Sequence, residues 1–294
     1  AADHALQLKT LNDAIKLRNT LINHVQRATQ ATGPERKRLL CTVIVGGGWT
    51  GVEAAGQIAD LQRTAFSKVF QSVRRDEYCI KIVERGDRLL HFLDPRSSAR
   101  AQKRLEQLGV EVVLNATVKR VTKDGIDFDS KHLDCGLVLW TSGVISVASK
   151  FFDAKLLNDK KRIVIEPTLA IAGHEGVFAV GDCADVVTNG HGPSIPQTAQ
   201  AATQGAPILA RNILAALTGG QMEVFRFKKR GELVPIGDWY AVAELGSFRF
   251  SGKFAWWLRR TVFLFSVFSW LDRIKIVIDW TLNIFMKRDT SEIH

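Results

Sequence analysis

Apolar and polar positions change their period twice along this chain. Over residues 6–27, Leu8, Leu11, Ile15, Leu17, Leu21, Ile22 and Val25 recur mostly at helical spacing, which predicts a helix with one buried stripe. Thr10 and Asp13 match a capping box at its start: the hydroxyl accepts from the Asp13 amide while the carboxylate reaches back. The polar stretch TQATGPERKR (29–38), broken by Gly33-Pro34, reads as a linker. From Leu39 the texture becomes strand–helix–strand. CTVIVGG is a buried strand, 50–72 a long amphipathic helix, RRDE (74–77) a charged loop and YCIKIVERG a second strand. A helix over 96–108 ends at Gly109, where the left-handed cap position suits glycine. VEVVLNATVKRV, GIDFDS and HLDCGLVLWTSGV read as β-rich, with a turn at Asp124-Gly125. RIVIEP and GVFAVGD give two more strands, followed by a Gly/His/Pro loop at 189–196 and a helix from about Gln197 to Leu217. Alternating strands and helices predict an α/β fold with a parallel sheet and right-handed crossovers. The stretch 248–288 has another character, with Trp256, Trp257, Trp270, Trp280 and several Phe among Arg and Lys.

Composition narrows the function less than pattern does. Hydrophobic residues make up 46% and charged residues 24%, ordinary for a globular protein, while 40 basic against 30 acidic residues leave a net charge of +10. That surplus favours anionic partners, and it is spread over both ends and the 60s to 100s. No nucleic-acid-binding module accompanies it, so nucleic acid is not expected. Cys41, Cys79, Cys135 and Cys183 are far apart, with no C-x-x-C and no paired Cys/His spacing. This argues against a metal site, a redox dithiol and a secreted disulfide framework. The first residue is Ala, and the chain reads as starting inside a longer protein.

Gly46-Gly47-Gly48-Trp49-Thr50-Gly51 carries the first candidate chemistry. G-x-G-x-x-G alone is a weak signal, and a close-packed strand–helix turn without ligand is its bland alternative. Context raises it, because an apolar strand precedes, a helix follows and an acidic residue ends the next strand. Gly46 permits the tight turn, Gly48 lets a pyrophosphate approach the backbone, and Gly51 lets helix and strand pack closely. The helix N-terminus offers free N–H groups and a positive dipole end to phosphates. Glu84 lies 33 residues beyond Gly51, where about 20 is usual; the long helix and the charged loop account for the excess. A carboxylate there accepts ribose hydroxyls of NADH and repels the 2′-phosphate of NADPH. Glu53 falls in the expected first helical turn, where an acidic residue suits the dipole.

EGVFAVGDCAD (175–185) is an apolar strand ending in Gly181-Asp182. Asp182 could simply cap the next segment. With these pieces in hand, the chain resembles the alternative (type II) NADH:quinone oxidoreductases, flavoproteins with two dinucleotide-binding domains. The resemblance rests on LKTLNDAIKLRN, VIVGGGWTGVEAAGQIADL, VLWTSGV, GVFAVGDCAD, IPQTAQAATQGAPILARNI, FRFKKRGELVPIG and the aromatic tail, in the family's order. It implies hydride transfer from NADH to FAD and then two electrons to a membrane quinone, without proton pumping. It also implies roles for residues. Gly46, Gly48, Gly51 and Glu84 match NADH-binding positions, and Glu53 matches an acidic residue in proton handling near the nicotinamide–flavin contact. Gly143, Gly181, Asp182, Thr198 and Ala199 match cofactor positions. Ala199, Gln200 and Gln204 match a segment lining the quinone site, with Gln200 and Glu53 the catalytic candidates. A solvated helix face is the bland alternative for the two glutamines, and Thr198 could be only part of the helix's first turn.

Two departures stand against the family. Trp49 occupies a turn position that often carries a smaller residue, and would shield or crowd the NADH pocket. The family also has an earlier G-x-G-x-x-G for the ADP half of FAD, and no such strand–turn–helix occurs in this sequence. The expected organisation is therefore a helical remnant of an FAD domain plus linker (1–35), an NADH-binding Rossmann-like domain (36–150), the C-terminal part of the FAD domain (151–247) and a tail (248–294). Two other readings stay open: a sulfide:quinone or disulfide reductase, for which Cys183 lacks a sequence partner, and a non-catalytic NAD-binding fragment.

The tail's longest apolar run, TVFLFSVFSWL (261–271), is too short for a bilayer core needing about 20 residues. Trp270, Leu271, Ile274, Val277, Ile278, Leu282 and Phe285 fall on one helical stripe, with Asp272, Lys275, Asp279 and Asn283 opposite. This predicts an amphipathic helical membrane anchor, with Arg259, Arg260, Lys287 and Arg288 for anionic headgroups. Packing on the core or in a homodimer is the alternative. The resemblance implies a peripheral protein on the cytoplasmic face of a bacterial inner membrane, or an equivalent organelle membrane.

Overall fold

The structure, a computed structural model, describes residues 4–143, 146–186 and 195–285. It divides into two compact units, residues 1–142 with 231–294 and residues 143–230. The first unit opens with helix α1 (Leu11–Ala28), whose predicted capping box is present: Asp13 N–H donates to the Thr10 hydroxyl and Thr10 N–H to the Asp13 carboxylate. Residues expected to be a linker instead form α2 (Gly33–Leu39), because Pro34 stands in the first turn, where its missing N–H costs nothing. Strand β1 (Cys41–Val45) leads through the glycine turn into α3 (Trp49–Leu61). The long helix expected over 50–72 loosens into a π-helical turn at Gln62–Phe66 before a last half-turn, α4 (Ser67–Val69). Strand β2 (Cys79–Val83), helix α5 (Pro95–Gln107) and strand β3 (Val110–Val113) follow. Gly109 adopts φ 89° just past α5, the left-handed cap its sequence position predicts.

The expected run of parallel strands is interrupted here. β4 (Val118–Val121), β5 (Gly125–Phe128) and β6 (Lys131–Asp134) form a separate antiparallel meander, and only β7 (Leu137–Trp140) returns to the parallel sheet. The meander exists because Thr122, Asp124 and Gly125 close a tight turn, the Thr122 hydroxyl accepting from both following amides. The parallel sheet has the order β3-β2-β1-β7, so the crevice beside β1 lies where the strand order reverses.

The second unit contains β8 (Ile163–Ile165), β9 (Ala184–Val186) and α6 (Ala199–Thr218), packed around Ile163, Ile165, Leu169, Ile171 and Phe225. GVFAVGD, expected to be a strand, makes only an isolated bridge at Phe178; turns at Gly173 and Gly176, both φ 73°, break it up, and β9 begins after Cys183. The chain then rejoins the first unit as an antiparallel sheet, β10 (Glu232–Pro235), β11 (Ala241–Leu245) and β12 (Phe248–Gly252), followed by α7 (Lys253–Ser266) and α8 (Trp270–Phe285).

Apolar and backbone contacts of the first unit run between segments distant in sequence. Residue 6 pairs with β7, its N–H donating to Val138 O and its carbonyl accepting from Trp140. Leu17, Leu21, Ile22 and Val25 of α1 share one apolar core with Ile44, Val52 and Ile82. β10, β11 and the turn between them add Val234, Val242 and Ile236 to that core, and Ala255 and Trp256 seat α7 on the antiparallel sheet. Among the described residues no helix is long and apolar enough to cross a membrane.

Candidate functional site

The glycine turn is held from three sides. Gly46 N–H donates to Val83 O at 2.9 Å, Leu90 N–H donates to Gly47 O at 2.8 Å, and the Thr141 hydroxyl donates to Val45 O at 2.9 Å. Gly46 has φ 110°, which side chains other than glycine's rarely adopt. A Cβ on Gly51 would lie 1.9 Å from Gly46 O, so the start of α3 touches the end of β1 backbone to backbone. At Gly48 a Cβ would meet nothing within 4 Å, and no side chain caps α3 there. The turn thus has open space at its middle glycine and a bare helix N-terminus beside it, the arrangement a pyrophosphate requires.

Glu84, just beyond β2, binds this turn directly. One carboxylate oxygen accepts from Gly47 N–H at 2.6 Å and the other from Gly86 N–H at 2.6 Å. A carboxylate offers about four lone-pair sites, which leaves acceptor capacity for ribose hydroxyls. Gly47, passed over in the sequence as a motif spacer, is as constrained as its neighbours. A Cβ there would lie 2.6 Å from Leu89 Cδ2 and 3.1 Å from Glu84. Its signal was available, since it is the middle of three consecutive glycines. Trp49 stacks on Phe92, with ring centroids 3.5 Å apart, and packs against the core.

Glu53 is the fifth residue of α3, past the first turn, so the dipole does not explain it. Burial pushes its carboxyl above the ordinary value of 4.5, and the Arg259 guanidinium of α7 opposes that shift. A raised folded-state pKa means that ionising Glu53 costs stability as pH rises above 4.5, and that the cost is absent at lower pH. Glu53→Gln is therefore expected to melt higher than the parent at neutral pH, with the difference closing below pH 4.5 in melts across a pH series. A constant difference at every pH would refute this assignment. Arg259 and Arg260, expected for anionic headgroups, lie on aromatic rings. Arg259 is 4.7 Å from the Phe263 centroid, and Arg260 is 4.4 Å from Trp256 and 3.9 Å from Trp280. The expected Lys287 and Arg288 lie outside the described residues.

The second unit gathers the other candidates around the start of α6. Gly181 has φ 81° and is followed by the exposed Asp182, whose backbone carbonyl accepts from Gln197 Nε2 at 2.9 Å. Thr198 is the N-cap of α6, its hydroxyl accepting from Ala201 N–H. Ala199 opens the helix on an exposed position. Gln200 and Gln204 do not form a freely solvated face. Gln200 Oε1 accepts from Arg230 N–H at 3.1 Å, while Gln204 accepts from Lys228 N–H at 3.1 Å and donates to Lys228 O at 2.9 Å. Their amides fasten α6 to the 228–230 strand of chain. Gly205 lets this helix approach Val180, since a Cβ would lie 2.6 Å from Val180 Cγ2. Gly143, φ 76°, stands in open space at the start of the unit. Glu53 and Gln200 belong to different units. Among the described residues no group of three or more His, Cys, Asp or Glu could hold a metal ion.

The chain is 31% identical over 307 residues to the type II NADH:quinone oxidoreductase NdhA of Mycobacterium tuberculosis, covering 99% of this chain and 64% of that one. It is 29% identical over 283 residues to the demethylphylloquinone reductase NdbB of a Synechocystis species, covering 95% of this chain and 65% of the relative. The chain thus spans slightly less than two thirds of the length of these relatives. In fold it matches the structure of NDH2 from Plasmodium falciparum in complex with NADH, with a TM-score of 0.90 at 21% identity, covering 99% of this chain and 75% of that one. The family profile described as pyridine nucleotide-disulphide oxidoreductase matches residues 2–206, and the chain belongs to that family.

Proposed function

We propose that this chain is the greater part of a type II NADH:quinone oxidoreductase, which oxidises NADH through FAD and reduces a membrane quinone. One observation carries the reading: the open glycine turn with Glu84 bonded to it, on a chain related along 99% of its length to a type II NADH:quinone oxidoreductase. The turn and the N-terminus of α3 hold the pyrophosphate of NADH, and Glu84 accepts the adenosine ribose hydroxyls. Glu53, whose carboxyl pKa burial raises above its ordinary value, stands on the same helix two residues beyond Gly51. In the second unit Gly143, Gly181, Asp182, Thr198 and Ala199 would hold FAD, and the N-terminus of α6 would favour negative charge brought beside it. Gln200 and Gln204, by fixing α6 to residues 228–230, present its small-residue face to the quinone. Bound there, FAD would supply the hydride acceptor for NADH and the two-electron donor for the quinone.

A disulfide-reductase reading has no support in the second unit. Cys183 is the one cysteine among residues 143–230, and its thiol donates to Val180 O. The purified whole protein is expected to show flavin absorbance and NADH oxidation that depends on added quinone. A folded, colourless protein without that activity would overturn the proposal.

Specificity for NADH follows from Glu84. Glu84→Gln is expected to weaken NADH about tenfold, equivalent to ~1.4 kcal/mol, and NADPH much less, because only the free 2′-hydroxyl loses an ionised acceptor. Fluorescence titration with both cofactors measures this, and equal losses would remove Glu84 from the ribose site.

The tail lies on an anionic lipid surface in this reading. Trp270, Leu271, Ile274, Val277, Ile278 and Leu282 are all exposed along α8, and Phe254, Phe263 and Phe265 along α7. Exposed apolar side chains of this kind on two helices, with Arg259 and Arg260 on α7, suit the headgroup boundary. Flotation with anionic vesicles is expected for the parent and lost on Leu271→Glu with Ile278→Glu. A soluble homodimer broken by the same changes would instead assign the face to self-association.

A further inference from the structure

Three of the four cysteines, scattered in sequence, meet at one end of the parallel sheet. β1 and β2 pair in the register Cys41↔Cys79, at the ends of the strands remote from the glycine turn and from Glu84. Directly paired residues on neighbouring strands have Cα atoms about 4.8 Å apart, inside the range of about 4.4–6.8 Å that a disulfide requires. The side chains use that proximity: the Cys41 thiol donates to Cys79 Sγ at 2.7 Å. Cys135, two residues before β7 begins, packs in the same apolar cluster.

The two thiols are not equivalent. Cys41 is buried at 3% exposure, whereas Cys79 is partly exposed. Both line a cavity of about 970 Å3 that also takes in Arg36, Lys37, Lys81 and Asp134. The thiol of Cys79 is held below the usual range, first by the hydrogen bond from Cys41 and then, against the cost of burial, by the Lys81 ammonium. Lys81 is itself ion-paired with Glu111 on β3. Cys135 is pushed up to about 12 by burial and by the neighbouring Cys79 charge, so it stays a thiol. One accessible sulfur of thiolate character next to one buried thiol is the arrangement of an attacking and a resolving cysteine.

We propose that Cys41 and Cys79 are a peroxide-reactive pair that closes to a disulfide across β1 and β2. The Cys79 thiolate attacks one oxygen of hydrogen peroxide, the O–O bond breaks, and hydroxide leaves with Cys79 as the sulfenic acid. The Cys41 thiol then attacks that sulfur, the S–O bond breaks, and water departs with the Cys41 proton. Two thiols are oxidised by two electrons, and one peroxide is reduced to two waters. The site is separate from the nucleotide turn, and a dithiol reductant reverses the step.

Peptide mapping of the whole protein after hydrogen peroxide, with alkylation of remaining thiols, tests the pair. A Cys41–Cys79 cross-link, two hydrogens lighter and lost on dithiothreitol, is expected, while Cys135 remains alkylated. Cys79→Ser is expected to abolish the cross-link, and Cys41→Ser to leave a sulfenic acid on Cys79 that dimedone traps. Cys135→Ser, which alters the neighbourhood without removing either partner, is expected to keep the cross-link. Both peptides remaining fully alkylatable while Cys183 is oxidised would overturn the proposal, as would dimedone labelling of Cys41 in Cys79→Ser.

Discussion

Gly51→Ala is expected to abolish NADH binding while the protein still folds, with a lowered melting temperature. The added Cβ would stand 1.9 Å from Gly46 O and 2.8 Å from Thr141 Oγ1. The first of these is backbone, so no side-chain rotation relieves it, and α3 must move away from the end of β1. Overpacking of this kind costs about 1–3 kcal/mol. The cost to binding is larger, because the displaced atoms are those that shape the turn. Gly46 sits at φ 110° with its carbonyl within 3.2 Å of the Thr141 hydroxyl, so moving that carbonyl reorients the amides that follow. Calorimetric melts and NADH titration separate the two effects.

Gly48→Ala supplies the control. Gly48 has φ −76° and ψ −168°, a conformation open to any residue, and its Cβ would meet nothing within 4 Å. The variant is expected to melt like the parent yet bind NADH at least tenfold more weakly, ~1.4 kcal/mol, because the methyl group occupies the space a pyrophosphate enters. Unchanged NADH affinity in both variants would remove the turn from the nucleotide site. Stability lost equally in both would show that the turn is merely tight.

The contrast between these glycines also marks what the sequence could convey. Spacing identified Gly46, Gly48 and Gly51, since each is fixed by a local strand–turn–helix geometry that recurs. It did not distinguish a glycine that must be small because backbone crosses it from one that must be small for a ligand. Gly56 shows the same limit: a Cβ there would lie 2.5 Å from Gly237 N, a contact made 181 residues away in sequence on the return of the chain to the first unit. The capping box at Thr10 and Asp13 was legible because all its atoms lie within four residues. The Cys41–Cys79 pairing was not, because strand register across a parallel sheet leaves no mark on spacing. The seating of α1 and of β10–β11 on the sheet was hidden for a related reason. The residues that bind α1 and β10–β11 to the sheet are ordinary apolar side chains, and nothing in Leu17, Ile22 or Val234 names its partner. Gln200 and Gln204 read as one helical face four residues apart, and only the fold reveals that backbone at 228–230 occupies it.

Arg162→Met is expected to destabilise the second unit by about 3–5 kcal/mol, the usual consequence of leaving one buried ion without its partner. Arg162 is 2% exposed, and its guanidinium pairs with the buried Asp185 carboxylate at 3.1 Å. It also donates to the carbonyls of Ala184 and Ile195. Asp185 in turn accepts from Ile195 N–H at 3.1 Å and from Asn158 Nδ2 at 2.9 Å. The pair therefore ties β8 to β9 and fastens Ile195, three residues before the N-cap Thr198 of α6. Burial works against the Arg162 charge and lowers its pKa, with Asp185 as the first group to oppose that shift. Methionine fills the volume but takes the guanidinium away from the Asp185 carboxylate and from Ile195 O. Replacing both ions, Arg162→Met with Asp185→Leu, is expected to recover most of the loss, since a hydrophobic pair of similar volume removes the unpaired charge. Chemical denaturation of the parent, the single variant and the double variant measures the coupling. A single-variant loss below about 1 kcal/mol, the scale of an exposed pair, would show that water reaches the charge and that the clamp does not set the position of α6.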